Sequence, residues 1–193
     1  MSKTDNFIGI DYGSKLAGTT VMVYAEKGAL IIQQSEKKQD ADAFIAETVG
    51  FVKPSFVCID APLSLPSAFF GNGADYFYRA CDKACQAMSP MFLGGLTARA
   101  MRLKNQLMPY RFYEVYPGYL ARKVLSLDEV YNKKKKPSTE AWTTLSEKVQ
   151  MPLPEGLNNW HQFDAILAWL TARRINMGEA LVIGDPEEGQ IYI

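Results

Sequence analysis

The chain has 193 residues, 48% hydrophobic and 22% charged, which is enough to bury a core without covalent staples. Lys+Arg and Asp+Glu both number 21, so global charge does not advertise a nucleic-acid partner and any polyanion must be met by local patches. No apolar run reaches the length of a membrane span, the stretch Met1–Asn6 is polar with no signal-type segment, and the three cysteines Cys58, Cys81 and Cys85 cannot pair completely; a cytoplasmic protein with reduced thiols is expected.

In chain order, Phe7 to Asp11 reads as a buried first strand, and Asp11-Tyr12-Gly13-Ser14-Lys15 as a turn. A second strand is expected from Leu16 to Tyr24. After the Lys27-Gly28 turn a third follows from Ala29 to Gln34, completing an antiparallel meander. Asp40 or Asp42 can cap a helix carrying Phe44, Ile45, Thr48, Val49 and Val52 on one side, ended by Pro54. The strand Phe56 to Asp60 follows that helix, and such a crossover predicts pairing parallel to the first strand. About fifty residues then precede the short strand Phe112–Tyr116; residues 62–110 are expected to form a mostly helical cap inserted after the fourth strand, with Phe69, Phe70, Phe77, Met91 and Phe92 supplying a small core of its own. Within it Leu96, Ala100, Leu103 and Leu107 share one helical face, and Arg99, Arg102 and Gln106 another. Lys133–Lys136 before Pro137 is a loop, read mainly as a solvated charge run. A late amphipathic helix runs from about Trp160 to Ile175, with Phe163, Ile166, Leu167 and Leu170 towards the core. Leu181–Ile183 and Gln190–Ile193 predict a small terminal hairpin. The whole is one domain.

Chemistry collects at strand ends. Asp11 and Asp60 each close an apolar strand, and functional groups in an α/β sheet gather beyond the carboxyl ends of its strands. His161 and Asp164, one helical turn apart, bring a third carboxylate and the only histidine. Hard Mg²⁺ or Mn²⁺ ions prefer such oxygen donors, and two of them can activate water and stabilise a leaving oxygen in phosphodiester hydrolysis. Asp11, Asp60 and Asp164 are therefore the expected metal ligands, with Glu114 and His161 in the same catalytic group; Glu114 reads either as a fourth carboxylate or as a partner of Arg79. Gly9 and Gly13 are expected to leave room for phosphate or metal beside Asp11. Arg79, held by Asp82, and the cap arginines Arg99 and Arg102 are the candidates for binding substrate phosphates.

The segment Phe7-Ile8-Gly9-Ile10-Asp11-Tyr12-Gly13-Ser14-Lys15 resembles the first strand of RNase H-like nucleases, especially RuvC-type resolvases. With Ile59-Asp60-Ala61-Pro62-Leu63-Ser64-Leu65-Pro66, Arg79-Ala80-Cys81-Asp82, Glu114-Val115-Tyr116-Pro117, Asp164-Ala165, Gly184-Asp185 and Glu188-Gly189-Gln190-Ile191, the chain is similar nearly throughout to the family called domain of unknown function 429, described as predicted nucleases. The resemblance implies an RNase H-like α/β fold: a mixed five-stranded sheet, three strands antiparallel and two parallel, flanked by helices. It also implies a metal-dependent nuclease acting on DNA or RNA, with Asp11, Asp60 and Asp164 in the positions of the metal-binding acids. The long insertion departs from the minimal resolvase pattern. Two other functions fit the same opening motif: a binding or regulatory protein that has lost catalysis, and a phosphotransferase of the actin and sugar-kinase class. For the second the chain lacks a second nucleotide-clamping domain.

Overall fold

The first strand, β1 (Phe7–Asp11), is buried along its whole length and lies mid-sheet. In the computed structural model, which describes residues 6–193, it pairs with β2 (Val21–Glu26) antiparallel and with β4 (Phe56–Asp60) parallel. Met1–Asp5, most of the polar N-terminal stretch, lie outside the described residues. β3 (Ala29–Gln34) pairs antiparallel with β2, and β5 (Arg111–Val115) parallel with β4. The second strand begins at Val21 rather than Leu16. The Lys15 and Leu16 carbonyls are occupied by the amides of Ala41 (2.9 Å) and Lys38 (2.8 Å), which hold this segment to the loop before the first helix instead of the sheet.

The sheet has seven strands, ordered β3-β2-β1-β4-β5-β7-β6, not the five expected. The terminal hairpin, β6 (Val182–Asp185) and β7 (Gly189–Tyr192), is not a separate appendage. β5 would otherwise expose an unpaired edge, and β7 covers it in parallel, Glu114 opposite Ile191 and Val115 opposite Tyr192.

Helices cover both faces. α1 (Ala41–Val52) is capped by Asp40, whose carboxylate accepts from the Asp42 amide at 2.9 Å and the Ala43 amide at 3.3 Å. The insertion supplies a short 3₁₀ turn (Ser67–Phe70), α2 (Ala80–Cys85), α3 (Pro90–Leu93) and α4 (Gly95–Gln106). After β5 come α5 (Pro117–Tyr119), α6 (Thr139–Val149) and α7 (Trp160–Met177). Residues Ile8, Ile10, Val57, Ile59 and Phe112 pack against α1 and α4, whereas Phe7, Cys58 and Val115 pack against α7. Strand alternation thus sends successive side chains of β1, β4 and β5 to opposite faces of the sheet.

The expected cap over residues 62–110 is only partly what forms. Its last helix, α4, lies on the sheet face: Ala100 and Leu103 are buried there, with Leu96 and Leu107 beside them, as their spacing predicts. The aromatic residues expected to form its own core do not. Phe69, Phe70, Phe77, Met91 and Phe92 are all exposed, because the segment is too short to fold around them and the sheet faces are already covered. The three cysteines are free and buried, and among the described residues no helix is long and apolar enough to cross a membrane.

Candidate metal centre

Strand parity sets the site. Phe7 and Gly9 face α7, so Asp11, two residues on, does too; Phe56 and Cys58 place Asp60 on the same face by the same count. β1 and β4 pair with Asp11 directly beside Asp60. α7 crosses this face so closely that a Cβ built on Gly9 would lie 2.2 Å from the Trp169 amide nitrogen. Gly9 therefore serves helix approach, not access for a ligand. Gly13 likewise is packed, since a Cβ there would meet the Thr19 hydroxyl at 2.1 Å, and its amide donates to Thr20 Oγ1 at 3.0 Å.

The start of α7 is fixed by a capping box. The Asn159 side chain accepts from the Gln162 amide (3.0 Å), and Gln162 Oε1 accepts from the Asn159 amide (3.3 Å). That phase places His161 in the first turn and Asp164 one turn later, over the ends of β1 and β4. Carboxylate oxygens of Asp11, Asp60 and Asp164 lie within 4.8 Å of one another. His161 Nδ1 is 2.8 Å from Asp11 Oδ2.

Two residues of the site were not singled out by sequence. The Tyr131 hydroxyl donates to Asp164 Oδ1 at 2.6 Å, its ring wedged against Trp160 and Phe163, and the Lys133 ammonium donates to Asp164 Oδ2. The lysine run is thus no plain solvated face: its first member reaches the acids, and the Lys135 carbonyl accepts from the Trp160 indole at 2.5 Å, docking the loop on α7.

Crowding carboxylates under protein atoms raises their proton affinity. Burial, offset in part by His161 and reinforced by Asp164, lifts Asp11 from 3.8 to about 6. Burial together with Asp11 and Asp164 pushes Asp60 well up, and burial raises Asp164 against the pull of Lys133 and Tyr131. The hydrogen bond to Asp11 raises His161. Three hard oxygen donors in mutual repulsion, with a lysine ammonium already drawn to one of them, have the chemistry of a divalent-cation site.

The remaining candidates lie elsewhere. Glu114 alternates to the opposite sheet face, paired beside Ile59 rather than Asp60, and is not a fourth carboxylate of the cluster. It is the partner of Arg79, whose guanidinium donates to Glu114 Oε1 (2.6 Å) and Oε2 (2.7 Å), Asp82 Oδ1 (2.6 Å) and Oδ2 (3.0 Å), and Ser64 Oγ (2.8 Å). Arg79 is 0% exposed and has all five donors engaged, so it holds β5, α2 and the loop after β4 together and presents nothing to a phosphate. Arg99 is bound to Asp42 (2.6 Å) and to the Gly13 carbonyl (3.1 Å) and lies over the Tyr12 ring; Arg102 reaches Asp42 at 2.9 Å but is more than half exposed. Both tie α4 to α1, and only Arg102 has much of its guanidinium in solvent. A cavity of about 630 Å³ between the end of α4 and the start of β5 is lined by residues such as Met101, Met108 and Phe112 and lies at the opposite strand ends from the acids. No protein-family model matches the chain, and neither a curated protein nor a solved structure does.

Proposed function

We propose that this protein is a metal-dependent nuclease with RNase H-like architecture, hydrolysing nucleic-acid phosphodiester bonds at the Asp11–Asp60–Asp164 cluster. The observation that carries the reading is the convergence of these carboxylates, drawn from two parallel strand ends and one helix, within 4.8 Å. The strand order β3-β2-β1-β4-β5, antiparallel then parallel, supports the architectural part. Mg²⁺ or Mn²⁺ fits the all-oxygen donor set and supplies Lewis acidity towards phosphate and a nucleophile from water. Asp11, Asp60 and Asp164 would together hold the ion through their carboxylate oxygens. His161 orients Asp11, while Tyr131 and Lys133 orient Asp164. Lys133 also brings a positive charge to where a phosphodiester would approach. Among the described residues no serine, threonine or cysteine hydrogen-bonds His161, and all three cysteines are buried, which gives no support to a nucleophilic triad.

The test is cleavage of labelled single strands, duplexes, hybrids and branched substrates in Mg²⁺ or Mn²⁺ by the wild type and Asp11→Asn. Cleavage that stops in chelator and falls by orders of magnitude in the variant is expected. Undiminished cleavage by the variant would overturn the proposal.

A further inference from the structure

Resting on the reading of the acid cluster as a nuclease centre, we infer that the loop 67–78 together with α3 is a base-stacking shelf, and that the substrate is single-stranded nucleic acid. Five rings stand out of this segment: Phe69, Phe70, Tyr76, Phe77 and Phe92, with Phe70 70%, Phe77 55% and Phe92 63% exposed. An aromatic group of this size left in water marks a contact surface.

The shelf is built, not frayed. Asp75 Oδ1 accepts from the amides of Phe77 (2.8 Å) and Tyr78 (3.0 Å), and the Ser89 hydroxyl donates to the Phe77 carbonyl. Glu188 clamps both ends of the loop, accepting from the Ser67 amide at 3.0 Å and the Ala80 amide at 2.8 Å. The rings brace one another, Phe69 edge-on to Tyr76 at 5.3 Å and Phe77 beside Phe92 at 5.8 Å. Rings held in place lose little freedom when a ligand stacks on them.

Charge and position identify the occupant. Lys83, beside the shelf, is paired with Asp75, and Arg99 and Arg102 with Asp42, so the positive charge that meets the acids comes from the lysine loop. The lysine loop meets the acid cluster at Asp164, with Lys134 to Lys136 exposed beside it. The backbone that carries the shelf comes near Asp60 at Leu93, the last residue of α3, which with Met88, Asp82 and Glu114 lines a cavity of about 90 Å³ beside it. A ligand reaching from cations, past a phosphodiester-cleaving centre, to flat aromatic faces is a polyanion with stackable faces. A duplex keeps its base faces stacked on one another; only unpaired bases offer them to a protein ring.

The test is fluorescence anisotropy in chelator, where nothing is cut, with short labelled DNA and RNA single strands, the same strands carrying abasic sites, and duplexes. The wild type is expected to bind base-bearing single strands about tenfold more tightly than abasic strands or duplex. The Phe77→Ala/Phe92→Ala variant should lose that preference while binding abasic strands as before. If this variant does not fold, Phe77→Leu/Phe92→Leu keeps apolar bulk and removes only the rings, with the same expected loss. Equal binding of base-bearing and abasic strands by the wild type, or a ring-free variant that keeps the preference, would overturn the shelf. So would sedimentation showing a dimer that the variants dissociate, which would assign the surface to a second copy of the chain. Cleavage without base preference removes the shelf and leaves the nuclease reading; base preference without cleavage does the reverse.

Discussion

Replacing Asp11 with Asn should abolish metal-dependent chemistry and yet stabilise the protein in chelator. The folded protein holds the Asp11 proton more tightly than the unfolded chain, so its stabilising contribution is full below the ordinary 3.8 and is lost as pH rises through about 6. A shift of roughly 2 units corresponds to about 3 kcal/mol of unfavourable ionisation above that window. Asn mimics the neutral carboxyl and can still accept a hydrogen bond from His161. Near neutral pH in chelator Asp11→Asn should therefore melt roughly 6–12 °C above the wild type, given about 2–4 °C per kcal/mol at this chain length. Well below pH 3.8, where the wild-type carboxyl is protonated in both states, the gap should close. Mn²⁺ relieves the repulsion, so it should raise the wild-type midpoint at neutral pH and leave the variant nearly unmoved. Thermal melts across pH, with and without Mn²⁺, measure all of this. A variant less stable than the wild type at neutral pH in chelator, or a gap that does not change with pH, would show that the buried Asp11 charge does not destabilise the fold.

Gly9→Ala should cost about 1–3 kcal/mol or more by driving a methyl into the α7 backbone, and should weaken Mn²⁺ binding because α7 carries His161 and Asp164; urea titration and calorimetry read the two effects. Arg79→Met leaves the buried carboxylates of Glu114 and Asp82 without their cation and should cost about 3–5 kcal/mol, seen as a lower urea midpoint, whereas Glu114→Gln, which leaves Arg79 paired with Asp82, should cost less. Arg79→Met combined with Glu114→Gln should cost clearly less than the sum of the two single changes, since the pair is removed together. Lys133→Met should bind Mn²⁺ more tightly, because the ammonium no longer competes for Asp164, and should melt lower in chelator. Unchanged Mn²⁺ affinity would show that the ammonium does not compete.

The first four strands and the parallel register of Asp11 with Asp60 were legible because apolar runs, turns and a crossover helix specify them locally. α7 was legible in extent but not in environment. Its burial from Phe163 to Ala172 leaves no polar face there, so what reads as an amphipathic helix is one packed on several sides. The opposite face of Glu114 follows from strand alternation once β5 is registered on β4, information that no single strand carries. Tyr131 and Lys133 lie in a loop, where no periodicity gives side-chain direction, and a run of four lysines reads as solvated whichever member turns inward. The arginines were visible as cations and Asp82 as the holder of Arg79, but Asp42, which holds Arg99 and Arg102, read as a helix cap. The sixth and seventh strands were seen as a hairpin; that they complete the sheet depends on the open edge of β5, a tertiary fact.

Crystals soaked in Mn²⁺ and measured at the manganese absorption edge would show whether Asp11, Asp60 and Asp164 form one cation site. An anomalous peak is expected within bonding distance of Asp11, Asp60 and Asp164 together, with the Lys133 ammonium moved off Asp164. Saturating Mn²⁺ with no peak at these carboxylates, and Lys133 still seated on Asp164, would contradict a shared cation site.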